Sequence, residues 1–248
     1  MDLATSAFFA VLAIYCGAGV IKGAVGFGLP VTAAALLPFV VPVELALGLN
    51  AIVIIYTNLL QVRLGGAYRD GLVAALPIMG GMMVAVPVGA YFAAGLDGRN
   101  LLLLLGIFVL IFSGLSLVNP ALRVPHRWRT GGGLLTGLVS GTIGGLVSAP
   151  GPTYVPFMVA LQLPRPAYIT GLAYVMLMFG VMSAGSYAWV GLLRSEHVLP
   201  SVAAIPAAVL GMFVGDRLAR MLPVETFRKV VLILLAGVAL LLIRRAMS

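Results

Sequence analysis

The sequence predicts an all-α integral membrane protein, a polytopic helical bundle of two inverted repeats, each a broken-helix hairpin followed by three transmembrane helices. Three observations carry that reading. The chain is 62% hydrophobic and 9% charged, with a mean hydropathy of +1.15, whereas a soluble domain carries about 25% charged residues. Apolar runs of roughly 20 residues, the length an α-helix needs to cross a hydrocarbon core, recur along its whole length. A glycine-rich helix break also occurs twice, at matching places in two halves, and such breaks mark transport sites in membrane proteins.

The first break runs through Gly19, Lys22, Gly23, Gly26 and Gly28 to Pro30, the second through Gly137, Ser140, Gly141, Gly144 and Ser148 to Pro150 and Pro152. Glycines 19, 23 and 26 fall on 137, 141 and 144 at a constant spacing of 118, with Lys22 on Ser140. Pro30 and Pro42 then pair with Pro152 and Pro164 at a spacing of 122, so four residues are inserted at the second break. Gly89 pairs with Gly215 at 126. The repeats are therefore placed at 1–118 and 131–248, joined by a linker at 119–130.

Loops and prolines divide the first repeat into helical pieces at 4–23, 30–41, 43–62, 71–95 and 100–118. The second divides at 131–147, 152–162, 165–192, 198–220 and 225–243. The second piece of each repeat covers about 17 Å against a core of roughly 30 Å. It cannot span alone, so the first two pieces read as a hairpin dipping into the membrane with its tip near the midplane. Irregular backbone at that depth is tolerated where protein or a watery cavity covers it.

Basic residues cluster at Arg63/Arg69, at Arg123/Arg127/Arg129 and at Arg217/Arg220/Arg228/Lys229. The positive-inside rule places these in the cytoplasm and both termini outside it; Arg244 and Arg245 oppose that orientation. The net charge of +8 reads as topology rather than nucleic-acid binding, because no continuous basic face forms. Cys16 is the one cysteine, so an intrachain disulfide is excluded, and neither a metal-ligand cluster nor a cofactor motif is present. The N-terminus lacks the basic stretch of a signal peptide and is expected to be retained. Trp128, Trp189 and Tyr187 read as an aromatic belt, and His126 and His197 as loop residues.

The hairpin tips are the expected site. A helix start leaves N–H groups unpaired and carries about half a positive charge, which suits an anion. With Pro30 and Pro152 each at a first helical position, the N–H groups of Val31, Thr32, Thr153 and Tyr154 face the gap. The hydroxyls of Ser148, Thr153 and Thr32 add donors, and Gly26, Gly28 and Gly144 allow close approach to the backbone. The small-residue motifs at Gly19, Gly23, Gly133, Gly137 and Gly141 read instead as helix-packing surfaces. Lys22 has two readings: an ammonium facing an anion, or one capping carbonyls or snorkelling. Asn50, Thr57, Asn58 and Gln61 in one third piece, and Thr170, Tyr174, Ser183 and Ser186 in the other, default to glue between helices. Asn50 and Thr170, each about two turns into its helix, are deep enough to contact substrate. Asp216 and Arg220 are spaced for an interfacial ion pair.

These features resemble the sulfite exporter TauE/SafE family of transmembrane anion transporters over essentially the whole chain. The likeness lies in the paired breaks, and in the helix starts Pro42-Val-Glu44-Leu-Ala46-Leu-Gly48 and Pro164-Arg-Pro-Ala-Tyr168-Ile-Thr170. It extends to the closing Gly89-Ala-Tyr-Phe-Ala and Gly215-Asp216-Arg217-Leu-Ala. The second break departs from the family pattern, with Ser148-Ala-Pro150-Gly-Pro152 in place of a longer glycine run. The resemblance implies a multi-pass transporter of the bacterial inner membrane for sulfite, sulfoacetate or a related organosulfonate.

The resulting expectation is a secondary transporter exporting such an anion through Lys22, Gly26, Gly28, Val31, Thr32, Asn50, Gly144, Ser148, Thr153, Tyr154 and Thr170. The alternatives are an anion channel or a carrier of another small oxyanion or carboxylate. The bilayer and the anion are the expected partners, nucleic acid is not, and a homo-oligomer is left open. An intramembrane enzyme is disfavoured because the chain offers no paired carboxylates, no intramembrane histidine and an isolated cysteine.

Overall fold

A computed structural model describes residues 5–118, 123–221 and 224–247, with the side chains of 5, 116–118, 220 and 224–228 left aside. The expected Asp216–Arg220 pair and part of the linker therefore lie outside the described residues. Ten α-helices are described: α1 (Thr5–Val25), α2 (Leu29–Leu36), α3 (Val43–Gly65), α4 (Tyr68–Ala94), α5 (Gly98–Val118), α6 (Arg129–Val147), α7 (Gly151–Ala160), α8 (Arg165–Trp189), α9 (Ser195–Met221) and α10 (Val224–Met247). Eight are long and apolar enough to cross a membrane; α2 and α7 are the short ones.

The helix starts follow the prolines. Pro42 and Pro164 hold nearly the same extended backbone, φ −54° and −53° with ψ 146° and 144°, immediately before α3 and α8. Each hairpin has a long arm and a short arm joined by three residues, 26–28 in one and 148–150 in the other. The breaks are thus equal in length. The four inserted residues do not enlarge the second tip but extend α6 helically past Gly144 to Val147.

The long arm of each hairpin packs parallel to the fourth helix of the other half. Gly19 and Gly23 of α1 lie on the backbone of Ala208 and Met212 in α9, and Gly211 and Gly215 of α9 lie on Cys16 and Val20 of α1. Likewise Gly137 and Gly145 of α6 meet Ile78 and Val86 of α4, while Gly81 and Gly89 of α4 meet Leu134 and Thr142 of α6. These contacts are backbone to backbone, which only glycine permits. They are the close approach expected of small-residue motifs in lipid, where packing rather than the hydrophobic effect drives association. Because Gly23 already lies opposite Met212 while α9 runs on to Met221, α1 stops short of the end of α9.

A Cβ at Gly89 would collide with the Thr142 carbonyl and crowd Gly145 Cα at 3.0 Å. Gly89→Val is expected to cost about 1–3 kcal/mol or more of stability, the penalty of overpacking, read as a lower Tm in detergent. Gly17→Val, where a Cβ meets nothing within 4 Å, is the control and should melt like the parent.

The remaining helices close the bundle. α3 and α8 run antiparallel, with Gly65 beside Thr170, Gly180 beside Ile54 and Ile55, and Gly48 beside Leu192. α5 and α10 are also antiparallel, Gly106 lying on Ala239 and Ile243. Two latches fix the far ends of the hairpins. Arg245 of α10 donates to the Pro38 carbonyl at 2.6 Å and stacks over Phe39, while the Val124 N–H donates to the Ala160 carbonyl at 3.0 Å.

Candidate functional site

Polar residues inside an apolar bundle persist where they find partners, and one face of α3 supplies most of them. Asn50, Thr57, Asn58 and Gln61 recur at helical spacing and are all buried. Asn50 Nδ2 donates to the Pro30 carbonyl at 3.0 Å and to the carbonyl and hydroxyl of Ser148 at 3.3 and 3.2 Å, so one side chain ties both hairpin tips together. Farther along, Asn58 Oδ1 accepts from Lys22 Nζ at 2.5 Å while its own amide N–H donates to Ile54. Gln61 Nε2 donates to the Gly26 carbonyl at 2.8 Å. Thr57 returns its hydroxyl to Val53 of its own helix. Three of the four residues thus hold the first break in place.

The break itself is a strained turn that glycine relieves. Gly26 and Gly28 take φ of +89° and +106°, the left-handed region that other residues rarely enter. Gly26 N–H closes on the Lys22 carbonyl, ending α1. In the second tip Ser148 takes φ +57° and caps α6 through Gly144. The tips also meet directly: Val31 packs with Val147 and Ala149, and Gly151 lies 3.9 Å, measured from an ideal Cβ, from Val31.

Lys22 is 3% exposed. Among the described residues its hydrogen-bond partner is the neutral Asn58 amide, so a buried ammonium stands without a counter-ion. A cavity of about 10 Å³, room for about one water, is lined there by Lys22, Gly26, Gly28, Val31, Asn58 and Tyr154, among others. Lys22 and Gly26 also form the inner wall of a larger cleft of about 730 Å³ between the C-terminal ends of α1, α3 and α9 and the start of α8. That cleft reaches the surface, since Arg165 and Asp216 on its wall are exposed.

The structure thus gathers Lys22, Gly26, Gly28, Val31 and Tyr154 around one cavity, with Asn50 and Ser148 bridging the tips beside it. Other expected site residues stand differently. Leu29, not Pro30, is the first residue of α2, so the Thr32 N–H is spent on the Gly28 carbonyl at 2.9 Å; Thr32 contributes instead a buried hydroxyl without a hydrogen-bond partner among the described residues. Gly151 opens α7 ahead of Pro152, and Thr153 gives both its N–H and its hydroxyl to the Pro150 carbonyl. Gly144 packs beneath Pro150 and Phe179. Thr170 donates to the Gly66 carbonyl at 2.5 Å, fastening the α3–α4 turn rather than facing a tip. Tyr187 is buried, not in an interfacial belt, and donates to Gly145 and Gly144 at 2.8 and 3.3 Å. His126 and His197 lie in a 3-10 turn and in the first turn of α9 rather than in loops.

Asn58 and Gln61, expected to be glue between helices, do bind across to the first hairpin; that they hold the break itself is what the sequence reading did not single out. The available signal was their position eight and eleven residues after Asn50, on the same helix face, which puts them beside the same hairpin.

Residues 11–242 match the sulfite exporter TauE/SafE family model. No curated protein and no solved structure matches the chain. An apolar helical bundle with paired broken hairpins is the architecture expected of such a transporter. With the match spanning nearly the whole chain, the protein belongs to the TauE/SafE sulfite exporter family.

Proposed function

We propose that this transporter exports a small sulfur-containing anion, sulfite, sulfoacetate or a related organosulfonate, through a site between the two hairpin tips. The observation that carries the proposal is Lys22, a buried ammonium with a neutral partner at the inner wall of a cleft open to the surface. A cation in such a place is expensive and persists where an ion path needs it. An anion drawn in past Arg165 at the surface reaches Lys22, beside the start of α2 with its positive helix end.

The cleft opens at the Arg63/Arg69 end of the bundle, lined by Leu64, Gly65 and Arg165. With that end cytoplasmic, as its basic residues favour, the conformation admits substrate from inside the cell. The cavity under the tips, with about 10 Å³, is too small for an oxyanion, so passage requires the tips to part. The reciprocal packing of α1 on α9 and α6 on α4 supports two inverted halves that rock against each other, with Gly26 and Gly28 as the pliable joint. Export is favoured by about 2.3 kcal/mol per negative charge per 100 mV of inside-negative potential.

The test is flux from proteoliposomes loaded with labelled sulfite or sulfoacetate. Protein-dependent, saturable efflux that accelerates when the lumen is made negative is expected. No flux of either anion would overturn the proposal, and flux that never saturates would make the protein a channel.

A further inference from the structure

Resting on the anion site just proposed, the geometry points to the Tyr154 hydroxyl as a second donor to the ligand, one that makes the site selective for anions with several oxygens over a halide.

Two buried tyrosines flank the second hairpin, and they differ in one respect. Tyr187 gives its hydroxyl to two carbonyls of α6. Tyr154 is fully buried and its hydroxyl has no hydrogen-bond partner among the described residues, although an unpaired buried donor carries a desolvation penalty that native structures rarely keep. Its ring is well placed, packed among Met158, Leu172, Met176 and Phe179. The unsatisfied atom is therefore not the result of a loose side chain.

Tyr154 lines the cavity that Lys22, Asn58, Leu172 and Met176 also line. Lys22 comes from α1 and Tyr154 from α7, so a ligand here is gripped by both hairpins at once. Among the described residues the ammonium lacks a counter-ion and the hydroxyl lacks an acceptor, and an oxyanion supplies both the charge and the acceptor atoms. A sulfite or sulfonate head group offers three oxygens and satisfies both donors through different atoms. A halide offers one atom, on which both donors must converge, whereas a head group with three oxygens lets each donor take an atom of its own. A site built to hydrogen-bond a ligand discriminates strongly against one that leaves its donors unpaired.

Tyr154→Phe removes one oxygen and leaves the ring packing intact. Without ligand its Tm should equal or exceed that of the parent, because a buried donor without a partner is removed. Sulfite affinity, measured by ligand-induced stabilisation and by flux, should fall about ten-fold or more, the range for a hydrogen bond to a charged group. Chloride affinity should hardly move, so the sulfite-to-chloride ratio collapses. If Tyr154→Phe does not purify, Tyr154→Met fills similar space without a donor and should show the same loss of ratio. Unchanged sulfite affinity and ratio in either variant, with the parent binding sulfite saturably, overturns the role of Tyr154 while the transport reading stands. A parent that binds no oxyanion overturns both.

Discussion

Lys22→Met should abolish high-affinity anion binding while leaving the protein at least as stable. The substitution keeps an unbranched side chain of similar length in a site that is 3% exposed and removes the charge. A hydrogen bond to a charged group contributes about 1.5–3 kcal/mol, or roughly ten- to more than a hundred-fold in affinity. Loss of flux should be of that order or larger, because the remaining donors do not supply a full positive charge. Stability should move the other way. An ammonium whose hydrogen-bond partner among the described residues is the Asn58 amide oxygen at 2.5 Å has given up its hydration for a neutral acceptor, and replacing such a charge with an apolar group is often neutral or stabilising. The two measurements together separate a functional residue from a structural one. A matched fall in Tm and binding would make Lys22 a strut that holds α1 to α3, and unchanged binding would leave the anion without its principal partner. Asn58→Leu provides the complementary arm, since it strands the ammonium without any acceptor and should lower the Tm.

The membrane class, the breaks and most helix bounds were legible in the sequence because they depend on local chemistry. Hydropathy marks the spans, and Pro42 and Pro164 set the starts of α3 and α8 within a residue. The glycines at 19, 23, 137 and 141 declared close packing, and the structure places each against another helix. The details that escaped are those fixed by partners distant in sequence. Nothing near Thr170 announces that its hydroxyl will reach the Gly66 carbonyl, 104 residues away. Tyr187 looked interfacial by its place at a helix end, yet the antiparallel course of α8 beside α3 carries it to the α6 carbonyls instead. The four-residue insertion illustrates a different limit. Its size is readable from the change in spacing, but an added turn of α6 and an enlarged tip give the same count. Only the continuation of helix through Gly144 to Val147 separates them.

Asn50 joins what the repeat arithmetic kept apart, and its substitution should have the largest structural effect of any side chain at the site. All three contacts are donated by one amide nitrogen, to the Pro30 carbonyl and to both oxygens of Ser148. Asn50→Asp keeps the shape and reverses the polarity: where a donor stood, a carboxylate oxygen would face two carbonyl oxygens in a fully buried position, with only the Ser148 hydroxyl able to turn and donate to it. Leaving buried carbonyls unpaired costs about 1–3 kcal/mol, more when a charge is involved, and an unpaired buried carboxylate adds several more. A Tm fall well beyond that of Asn50→Leu is therefore expected, because the leucine removes the donor without introducing repulsion. Flux should separate the variants further. If the tips must part for an anion to pass, the Asn50 tether opposes opening, and Asn50→Leu should populate a tip-open state in which a cysteine placed at Ser148 reacts faster with a water-soluble thiol reagent than in the parent. The Cys16→Ser background keeps the native thiol from contributing. Equal reaction rates in the two backgrounds would show that the tips separate without breaking this contact, so that Asn50 moves with one hairpin as part of a rigid body and the joint of the transport cycle lies elsewhere.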